Sequence, residues 1–485
     1  MISICPNFID GRRRDCADAD TCEVANPATG LPLARLPLSN QADVDEAVST
    51  ALAAFGPWSS TPPIERARVL FRYKQMLEQH RQELIELVVL DNGKTLAEAA
   101  GDVQRGIESV EFATGIPSHL MGTVAEEIAP GIDSEMFRQP LGVVAGLTPF
   151  NFPVMVPLWM IPVAVACGNT IILKPSERAP LAAVRLAEIF ADCGAPAGTF
   201  NVLQGAADTA RQLIAHADVG AVSVVGSTPV ARQVYAEAAA HGKRVQALGG
   251  AKNSLLVMPD CHLESAARSI AASAFGCAGQ RCLAGSNVIA IGEVGDKLVE
   301  ALTAAAAAMR VGPGIDPHSD MGPVISPQAR DRVVSYVDQG LRDGAALARD
   351  GRGQQAGVAP QGYFVGPTLF DHVTPAMSIA REEIFGPVLS VLRVRSLDEA
   401  ITTVNASPLG NSASIYTRSG GAAREFRRRI EAGMLGVNLG VPAPMPFFPF
   451  SGWKGSFFGD LHAQGRDAIE FYTRRKVVTS RWEAE

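Results

Sequence analysis

The sequence predicts an α/β protein with two domains, each built on a mainly parallel sheet, and a small β arm. Between residues 141 and 226, short apolar runs alternate with Ala/Leu-rich helical stretches, which is the pattern of stacked βαβ units. A second alternating block begins near residue 253. Two strand-like segments, residues 119–139 and 476–482, have no core of their own, so we expect them to pair with another subunit.

The composition is that of an ordinary globular protein. With 485 residues, of which 47% are hydrophobic and 19% charged, the chain can fill substantial cores. The formal net charge of -7 and the lack of a basic stripe argue against a nucleic-acid partner. Eight cysteines without a CxxC pair, and no recognisable secretory leader, predict free thiols in a cytoplasmic protein. The eight histidines form no cluster, so we expect no metal site.

The region from Asp43 to about Phe112 is predicted to be helical, because its apolar residues recur at three- and four-residue spacing. Further on, residues 141–173 contain no charge and are numerous enough to suggest a membrane span. The prolines in this stretch argue against one continuous helix, since each removes a backbone donor. We therefore expect a buried strand, a loop, a short core helix and a second strand, and no membrane segment.

The segment from Phe275 to Gly285 holds the strongest candidate for a catalytic side chain. Cys282 lies in a glycine-punctuated turn beside Arg281, where a thiol can be exposed and its thiolate stabilised. A lone cysteine is more often a buried small hydrophobe next to a surface arginine, and Cys277 lies in the same segment. The assignment of a nucleophile therefore depends on the rest of the chain.

The best candidate for phosphate binding is the turn at Gly226 and Ser227. An apolar strand ends there and Pro229 suits the first turn of a following helix, so free backbone amides could face a pyrophosphate. The dinucleotide motif GxGxxG is absent from the strand-to-helix turns, and the run from Gly351 to Gly353 lies in a polar loop. On its own, the turn at Gly226 is a weak signal.

Six motifs occur in one order along nearly the whole chain. They are Pro149-Phe150-Asn151-Phe152-Pro153, Lys174-Pro175-Ser176-Glu177, Gly226-Ser227, Leu248-Gly249-Gly250-Ala251-Lys252, Gly279-Gln280-Arg281-Cys282 and Glu382-Glu383-Ile384-Phe385-Gly386-Pro387-Val388. In this order they resemble the aldehyde dehydrogenase superfamily. The resemblance implies a Rossmann-like parallel-sheet cofactor domain, a second α/β catalytic domain and a small β oligomerisation arm. We expect an NAD-binding domain at 1–118 and 141–247, a catalytic domain at 248–450 and oligomerisation strands at 119–140 and 465–485.

The resemblance implies a role for each matching residue. Cys282 attacks the aldehyde to give a thiohemiacetal, Asn151 helps to hold the oxyanion through its side-chain amide, and hydride leaves for the nicotinamide of NAD. The implied cofactor-binding residues are Phe150, Lys174, Glu177, Gly226, Ser227, Glu383 and Phe385. Outside this context, Asn151 is a turn residue and the charged members of the set are surface residues. Glu177 near a ribose favours NAD over NADP.

One position departs from the hydrolytic members of the superfamily. They carry a glutamate at the first position of the Glu-Leu-Gly-Gly-Lys motif, and that position here is Leu248. Leucine cannot take a proton from water, and hydrolysis of a thioester needs a general base. The thiol of coenzyme A (CoA) then becomes the expected acceptor. Glu264 and Glu382 are candidate substitutes for the base, but neither matches the family's position.

The sequence also resembles the CoA-acylating methylmalonate-semialdehyde dehydrogenase branch of the superfamily. The resemblance lies in the leucine at position 248 and in the stretches 446–460 and 101–106. The branch implies oxidative decarboxylation of malonate semialdehyde or methylmalonate semialdehyde to acetyl-CoA or propanoyl-CoA. NAD is the implied cofactor, CoA the implied co-substrate, and a homotetramer or dimer the implied assembly.

Two arginines are implicated in holding the substrate carboxylate in that branch, and they correspond to Arg105 and Arg281. A guanidinium fork suits a planar carboxylate better than lysine does. Outside the resemblance, Arg105 is a helix-surface residue that pairs with Asp102 or Glu108.

Other functions remain open at this stage. One is a hydrolytic NAD(P)-dependent semialdehyde dehydrogenase that releases a free carboxylate. Another is a thiol hydrolase or acyl transferase without redox chemistry. Such an enzyme would need a histidine base, and no histidine lies near the motifs. A non-catalytic use of the fold is the third, and the intact motif residues argue against it.

Overall fold

A computed structural model describes residues 3–14, 20–353 and 361–482. The predicted domain ranges also include residues 1–2, 15–19, 354–360 and 483–485, which lie outside the described residues. The strands are, in chain order, β1 (Ser3–Ile4), β2 (Asn7–Ile9), β3 (Arg12–Arg14), β4 (Thr21–Ala25), β5 (Pro32–Pro37), β6 (Thr123–Ala129), β7 (Ile132–Pro140), β8 (Val143–Leu147), β9 (Thr170–Lys174), β10 (Phe200–Val202), β11 (Val219–Val225), β12 (Arg244–Leu248), β13 (Asn253–Val257), β14 (Gly285–Ile291), β15 (Ala346–Arg349), β16 (Thr368–Asp371), β17 (Val388–Val394), β18 (Leu409–Gly410), β19 (Ser412–Tyr416), β20 (Met434–Val437), β21 (Trp453–Lys454), β22 (Phe457–Phe458) and β23 (Thr473–Arg481).

The helices are α1 (Gln41–Ser60), α2 (Pro63–Gln79), α3 (Arg81–Asn92), α4 (Leu96–Thr114), α5 (Ile116–His119), α6 (Met155–Ala166), α7 (Leu181–Ala191), α8 (Ala207–Ala215), α9 (Thr228–Ala240), α10 (Leu263–Phe275), α11 (Gly295–Ala308), α12 (Pro327–Arg342), α13 (Ser378–Arg381), α14 (Leu397–Asn405), α15 (Gly420–Arg429) and α16 (Gly465–Phe471).

The first large sheet has the strand order β22-β12-β11-β8-β9-β10-β2-β3. Its central strands, from β12 to β10, are parallel, and β22, β2 and β3 pair antiparallel at the two ends. Alternate residues of β8 enter different cores: Val144 packs in a cluster with α2, α4 and α6, whereas Val143 and Ala145 pack in a cluster with α1, α8 and α9. Helices therefore cover both faces, as a buried parallel sheet requires.

The second large sheet has the strand order β15-β16-β17-β14-β13-β19-β20 and is parallel apart from β15. It is covered on both faces in the same way. Leu255 and Val257 face a cluster with α10 and α11, and Leu256 faces a cluster with α12, α14 and α15. The predicted α/β class with two parallel sheets is confirmed, while the functional limits of the domains stay a prediction.

The charge-free stretch from residue 141 to 173 folds as the sequence predicts, into β8, a loop, α6 and β9. α6 tolerates Pro162 in its interior, and its residues from Val156 to Ala166 are buried. The stretch therefore forms the centre of the first core. Across the described ranges, we find no helix with the length and apolar character needed to cross a membrane.

The small β arm is a three-stranded sheet in the order β23-β7-β6. The tail strand β23 pairs antiparallel with β7 along its whole length, from Thr473 opposite Pro140 to Arg481 opposite Ile132. The two predicted orphan segments thus pair with each other within the chain, and their pairing with another subunit stays a prediction. The arm exposes the apolar side chains of Val124, Ile128, Phe137, Val477 and Trp482. Assembly into a homotetramer or dimer stays a prediction.

Candidate active site

Cys282 follows α10 and a tight turn at the beginning of the second domain-sized sheet. Within the turn, Cys277, Ala278 and Gly279 all have positive φ angles, of 52°, 51° and 71°. A Cβ atom at Gly279 would lie 2.2 Å from the carbonyl oxygen of Gly386, so only glycine fits there. The turn brings the chain around sharply enough to present the Cys282 side chain to a cavity rather than to the core of the sheet.

Three asparagine side chains hold this segment in place. Asn253 and Asn411 each donate a hydrogen bond from Nδ2 to the carbonyl oxygen of Cys282, at 2.8 and 2.9 Å. Asn151 donates from Nδ2 to the carbonyl oxygen of Gln280, at 3.0 Å. The structure therefore brings the two residues predicted to be catalytic, Asn151 and Cys282, to the same site. Asn151 lies in a loop of the first large sheet and Cys282 in a loop of the second.

Cys282 lies where two cavities meet. The larger is a cleft of about 1040 Å³ that Cys282 lines together with Phe150, Asn151, Gly226, Ser227, Glu383 and Phe385. The smaller is a pocket of about 290 Å³ that Cys282 lines together with Arg105 and Arg281. The side chain predicted to be the nucleophile is thus shared by the predicted cofactor residues on one side and the predicted carboxylate-binding residues on the other.

The Cys282 thiol is partly buried, and burial together with the charge of Glu383 raises its pKa to about 12. The backbone amides of Cys282 and Leu283 and the charge of Arg281 lower the pKa, but by less. The Nη2 of Arg281 donates to the carbonyl oxygens of Ala272 and Ser273 at the end of α10, and not to the thiol. The sequence-based expectation that Arg281 stabilises a thiolate is therefore right in sign, but the effect is outweighed by burial.

Cys277 has the poorer environment for a nucleophile. It is 7% exposed, and burial and the charge of Glu98 raise its pKa to about 12. Its backbone N–H donates to Glu98 Oε1 at 2.5 Å. Cys277 lines the smaller pocket but does not line the cleft, so Cys282 alone of the two faces both cavities.

Gly226 and Ser227 lie where β11 ends and α9 begins, in the wall of the cleft. Ser227 is the N-cap residue of α9 but makes no side-chain capping bond, and Pro229 lies in the first turn as predicted. The first amides of α9 thus keep their hydrogen-bonding capacity, and the helix dipole adds positive potential there. This arrangement can bind a phosphate group.

Glu383 and Phe385 form the opposite wall of the cleft. Glu383 Oε1 accepts a hydrogen bond from the N–H of Ala251 at 3.0 Å, and a Cβ at Gly250 would lie 2.2 Å from Oε2, so the missing side chain of Gly250 makes room for the carboxylate. Burial raises the pKa of Glu383. Phe385 packs edge-on against Phe150, with ring centroids 5.9 Å apart.

Lys174 and Glu177 lie at the end of β9, outside the residues that line the cleft. Lys174 Nζ donates to the carbonyl oxygen of Pro175 at 2.8 Å and lies 3.6 Å from Glu177 Oε2. Burial lowers the pKa of Lys174. The neighbouring Arg178 does line the cleft. The assignment of Lys174 and Glu177 to the adenosine ribose stays a prediction.

Leu248 ends β12, is 3% exposed and pairs with Phe457 of β22. It belongs to the same apolar cluster against which Cys282 packs. Of the two carboxylates considered as substitutes for a base, Glu264 is exposed and lines neither cavity. Glu382 lines the cleft, where it accepts a hydrogen bond from the hydroxyl of Tyr336 at 2.6 Å.

Arg105 lies on α4, and its guanidinium is held from two sides. Nη1 is 2.8 Å from Glu108 Oε2 and 3.1 Å from Met445 Sδ, and Nη2 donates to the carbonyl oxygen of Pro444. Arg105 therefore both pairs with Glu108, as an ordinary helix-surface residue would, and lines the smaller pocket.

Several residues of the site carry no motif in the sequence. On α12, Arg332 Nη2 donates to the carbonyl oxygen of Glu383 at 2.8 Å and Tyr336 binds Glu382, so one helix holds both glutamates. Arg332 and Tyr336 lie one turn apart on the polar side of an amphipathic helix, a pattern that indicates a solvent-facing surface. Among the described residues, no group of three or more His, Cys, Asp or Glu side chains is placed to hold a metal ion.

The chain is similar in sequence to known proteins of one family. The aldehyde dehydrogenase family matches residues 14–478. Malonate-semialdehyde dehydrogenase 2 of Geobacillus kaustophilus is 56% identical over 476 residues, covering 98% of each chain. A malonate-semialdehyde dehydrogenase of Halalkalibacterium halodurans is 54% identical over 476 residues, again covering 98% of each chain.

Solved structures superpose closely on this chain. The methylmalonate-semialdehyde dehydrogenase of Oceanimonas doudoroffii has a TM-score of 0.98 and 46% identity, covering 100% of this chain and 99% of the other. A Sinorhizobium meliloti protein, provisionally named methylmalonate-semialdehyde dehydrogenase and solved in complex with NAD, has a TM-score of 0.99 and 44% identity, with the same coverage. Because the family match spans nearly the whole chain and the relatives exceed half identity, this chain belongs to the aldehyde dehydrogenase family.

Proposed function

We propose that this protein catalyses the NAD-dependent, CoA-acylating oxidative decarboxylation of malonate semialdehyde or methylmalonate semialdehyde to acetyl-CoA or propanoyl-CoA. One observation supports this function above the others: Cys282 is shared by a large cleft and by a pocket that contains two arginines, while Leu248 occupies the position of the family's hydrolytic base. The names of the relatives support the semialdehyde substrate.

The residues of the cleft fit NAD. The uncapped N-terminus of α9 at Gly226 and Ser227 suits a pyrophosphate, and the carboxylate of Glu383 suits ribose hydroxyls. Phe150 and Phe385 offer apolar surface for a nicotinamide ring. Lys174 and Glu177 are proposed to contact the adenosine ribose. When bound, NAD supplies the acceptor for the hydride.

Cys282 and Asn151 carry out the covalent steps. The Cys282 thiol gives its proton to a water molecule, its sulfur adds to the aldehyde carbon, and the carbonyl electron pair moves to the oxygen. The Asn151 amide, held by the carbonyl of Gln280, donates to this negative oxygen. Loss of hydride converts the thiohemiacetal into a thioester on Cys282. The β-carboxylate of this thioester then leaves as carbon dioxide, and the electron pair forms an enolate, which the thioester carbonyl stabilises until it takes up a proton.

The acyl group then passes to CoA. The CoA thiolate attacks the thioester carbonyl, the bond to Cys282 breaks, and the cysteine leaves as a thiolate that takes back a proton. A thiol is already a competent nucleophile near neutral pH, so this step does not need the base that Leu248 replaces.

Product analysis tests this function directly. With NAD, CoA and malonate semialdehyde, we expect acetyl-CoA, carbon dioxide and NADH in equal amounts, and propanoyl-CoA from the 2-methyl homologue. Mass spectrometry of the quenched reaction identifies the acyl product. Free malonate or methylmalonate as the main product would instead support the hydrolytic alternative.

Arg105 and Arg281 are proposed to bind the substrate carboxylate in the smaller pocket. Arg105→Leu should therefore raise the KM of the semialdehyde by about 10- to 100-fold, because a hydrogen bond to a charged group is lost. The KM of propanal, which has no carboxylate, serves as the control and should change little. Steady-state rates of NADH formation measure both constants, and an equal effect on the two aldehydes would remove the assignment.

A further inference from the structure

A third, very small cavity shares lining residues with both the large cleft and the smaller pocket. Its volume is about 10 Å³, close to what a single water molecule needs. Lys252, Arg281 and Glu383 are the charged side chains that line it. Glu383 also lines the large cleft, and Arg281 also lines the smaller pocket. The small cavity therefore adjoins both the proposed cofactor carboxylate and one of the proposed substrate arginines.

Two buried hydrogen-bond donors belong to side chains that line this cavity. Lys252 Nζ and Arg281 Nε are both buried and, within the described ranges, form no hydrogen bond to protein. Lys252 is only 6% exposed. A buried donor without an acceptor costs free energy, so an acceptor small enough for the cavity is strongly favoured there.

A water molecule suits this cavity better than an anion does. Its oxygen has two lone pairs for the two donors, and its protons are available to an acceptor on the third side, where the Glu383 carboxylate lies. An anion could accept from Lys252 and Arg281, but it would face the charge of Glu383 with no proton to offer.

Arg281 gains a fixed orientation from such a water. Its Nη2 is already held by the carbonyls of Ala272 and Ser273, and a bond at Nε would fix a second edge of the guanidinium. In the described part of the chain Nη1 has no hydrogen-bond partner, so it stays available to the smaller pocket. With two edges fixed, Nη1 can donate a charge-assisted hydrogen bond to one oxygen of a substrate carboxylate.

We propose that one buried water in this cavity accepts hydrogen bonds from Lys252 Nζ and Arg281 Nε and donates to the Glu383 carboxylate, which makes Lys252 a positioning residue for substrate and cofactor binding. The inference rests on the functions proposed above for Arg281 and Glu383. Lys252 touches neither ligand and acts through the two residues that do.

The charge of Lys252 gives this arrangement a pH dependence. Burial lowers the pKa of Lys252 to about 7, against the opposing effect of the Glu383 and Glu382 carboxylates, and Arg281 is the other charged group facing it. Below pH 7 the ammonium is charged and attracts the water and Glu383. As the pH rises through 7 this charge is lost, so the KM of the semialdehyde should rise between pH 6 and 8.

Lys252→Met tests the proposal, because methionine fills similar space without a donor. We expect the semialdehyde KM to increase about tenfold at pH 6.5, the kcat to change less than about threefold, and the rise of KM between pH 6 and 8 to disappear. Propanal, which does not use Arg281 for a carboxylate, should show a smaller change in KM. Lys243→Met, which removes a half-buried lysine bonded to His216 and Val219, is the matched control and should leave the pH profile intact.

A KM profile in Lys252→Met that keeps the wild-type shape would overturn the proposal. If Lys252→Met does not fold, Lys252→Gln and a crystal structure of the wild-type enzyme with NAD at atomic resolution replace it. Density for a water within hydrogen-bond distance of both Lys252 Nζ and Arg281 Nε is expected, and a dry cavity or a direct contact of Lys252 with Glu383 would refute it. Arg281→Leu distinguishes failure of the proposed carboxylate binding from failure of the positioning proposal. If this variant changes the KM of the semialdehyde and of propanal equally, Arg281 does not bind the carboxylate, regardless of the result for Lys252.

Discussion

Cys282→Ala should abolish NADH formation, with kcat lowered by about 10⁴-fold or more, which is the scale of losing a covalent nucleophile. Cys282 is the side chain shared by the cleft and the arginine pocket, and its carbonyl is fixed by Asn253 and Asn411. Without its sulfur no thiohemiacetal forms, so the step before hydride loss is missing. Absorbance at 340 nm after mixing enzyme, NAD and semialdehyde measures the rate.

Cys277→Ala is the matched control for this variant. Cys277 is buried in the same turn with a positive φ of 52°, and alanine already occupies the same conformation at position 278. The control should therefore fold and keep most of its activity. A trapped acyl adduct, located by mass spectrometry of peptides, should map to Cys282, and an adduct on Cys277 would reassign the nucleophile.

Removal of CoA should stop steady turnover after about one NADH per active site, and the residual rate should fall by at least about 100-fold. The reason is that Leu248 offers no base and is packed in the core beside Phe457. Rapid-mixing absorbance resolves the burst from the slow phase. Rapid, sustained NADH formation in a buffer free of thiols would show that a carboxylate such as Glu382 or Glu383 activates water, and the hydrolytic alternative would then hold.

Leu248→Glu and Leu248→Gln form a matched pair for the same question. Both introduce a polar side chain of the same size at a position that is 3% exposed, so both lose similar stability. Only the glutamate can act as a base. We expect NADH formation without CoA to be about tenfold or more faster in Leu248→Glu than in Leu248→Gln. Equal rates would mean that position 248 does not control the acyl acceptor.

The sheets could be predicted because a strand that is buried on both faces has a recognisable run of apolar residues in the sequence. A strand buried on both faces, such as β8, is an uninterrupted apolar run, and the βαβ alternation around it indicates a parallel order. The same reasoning distinguished residues 141–173 from a membrane helix, since their prolines exclude one long helix. The partner of β23 could not be predicted, because edge pairing depends on which strand is nearest in space.

The sequence predicts which side chains lie near each other at the candidate site better than it predicts the electrostatics there. Asn151 and Cys282, which the motif order groups together, do line one cleft, while their catalytic roles stay a prediction. Adjacency in sequence overstated the effect of Arg281 on the pKa of the Cys282 thiol. The last turn of α10 offers carbonyl oxygens to that guanidinium, and the sequence does not reveal which way a side chain turns. Arg332 was missed for a related reason: a polar residue on an amphipathic helix looks the same whether it faces solvent or a cleft.

The position of Cys282 between two openings has a consequence for the order of events. In the proposed reaction, an acyl group attached to this sulfur can remain in the arginine pocket while the reduced dinucleotide leaves through the large cleft. The acyl acceptor can then enter through the large cleft without displacing the acyl group. Because both cavities reach Cys282, the proposed reaction can follow a double-displacement cycle, in which its two halves occur one after the other.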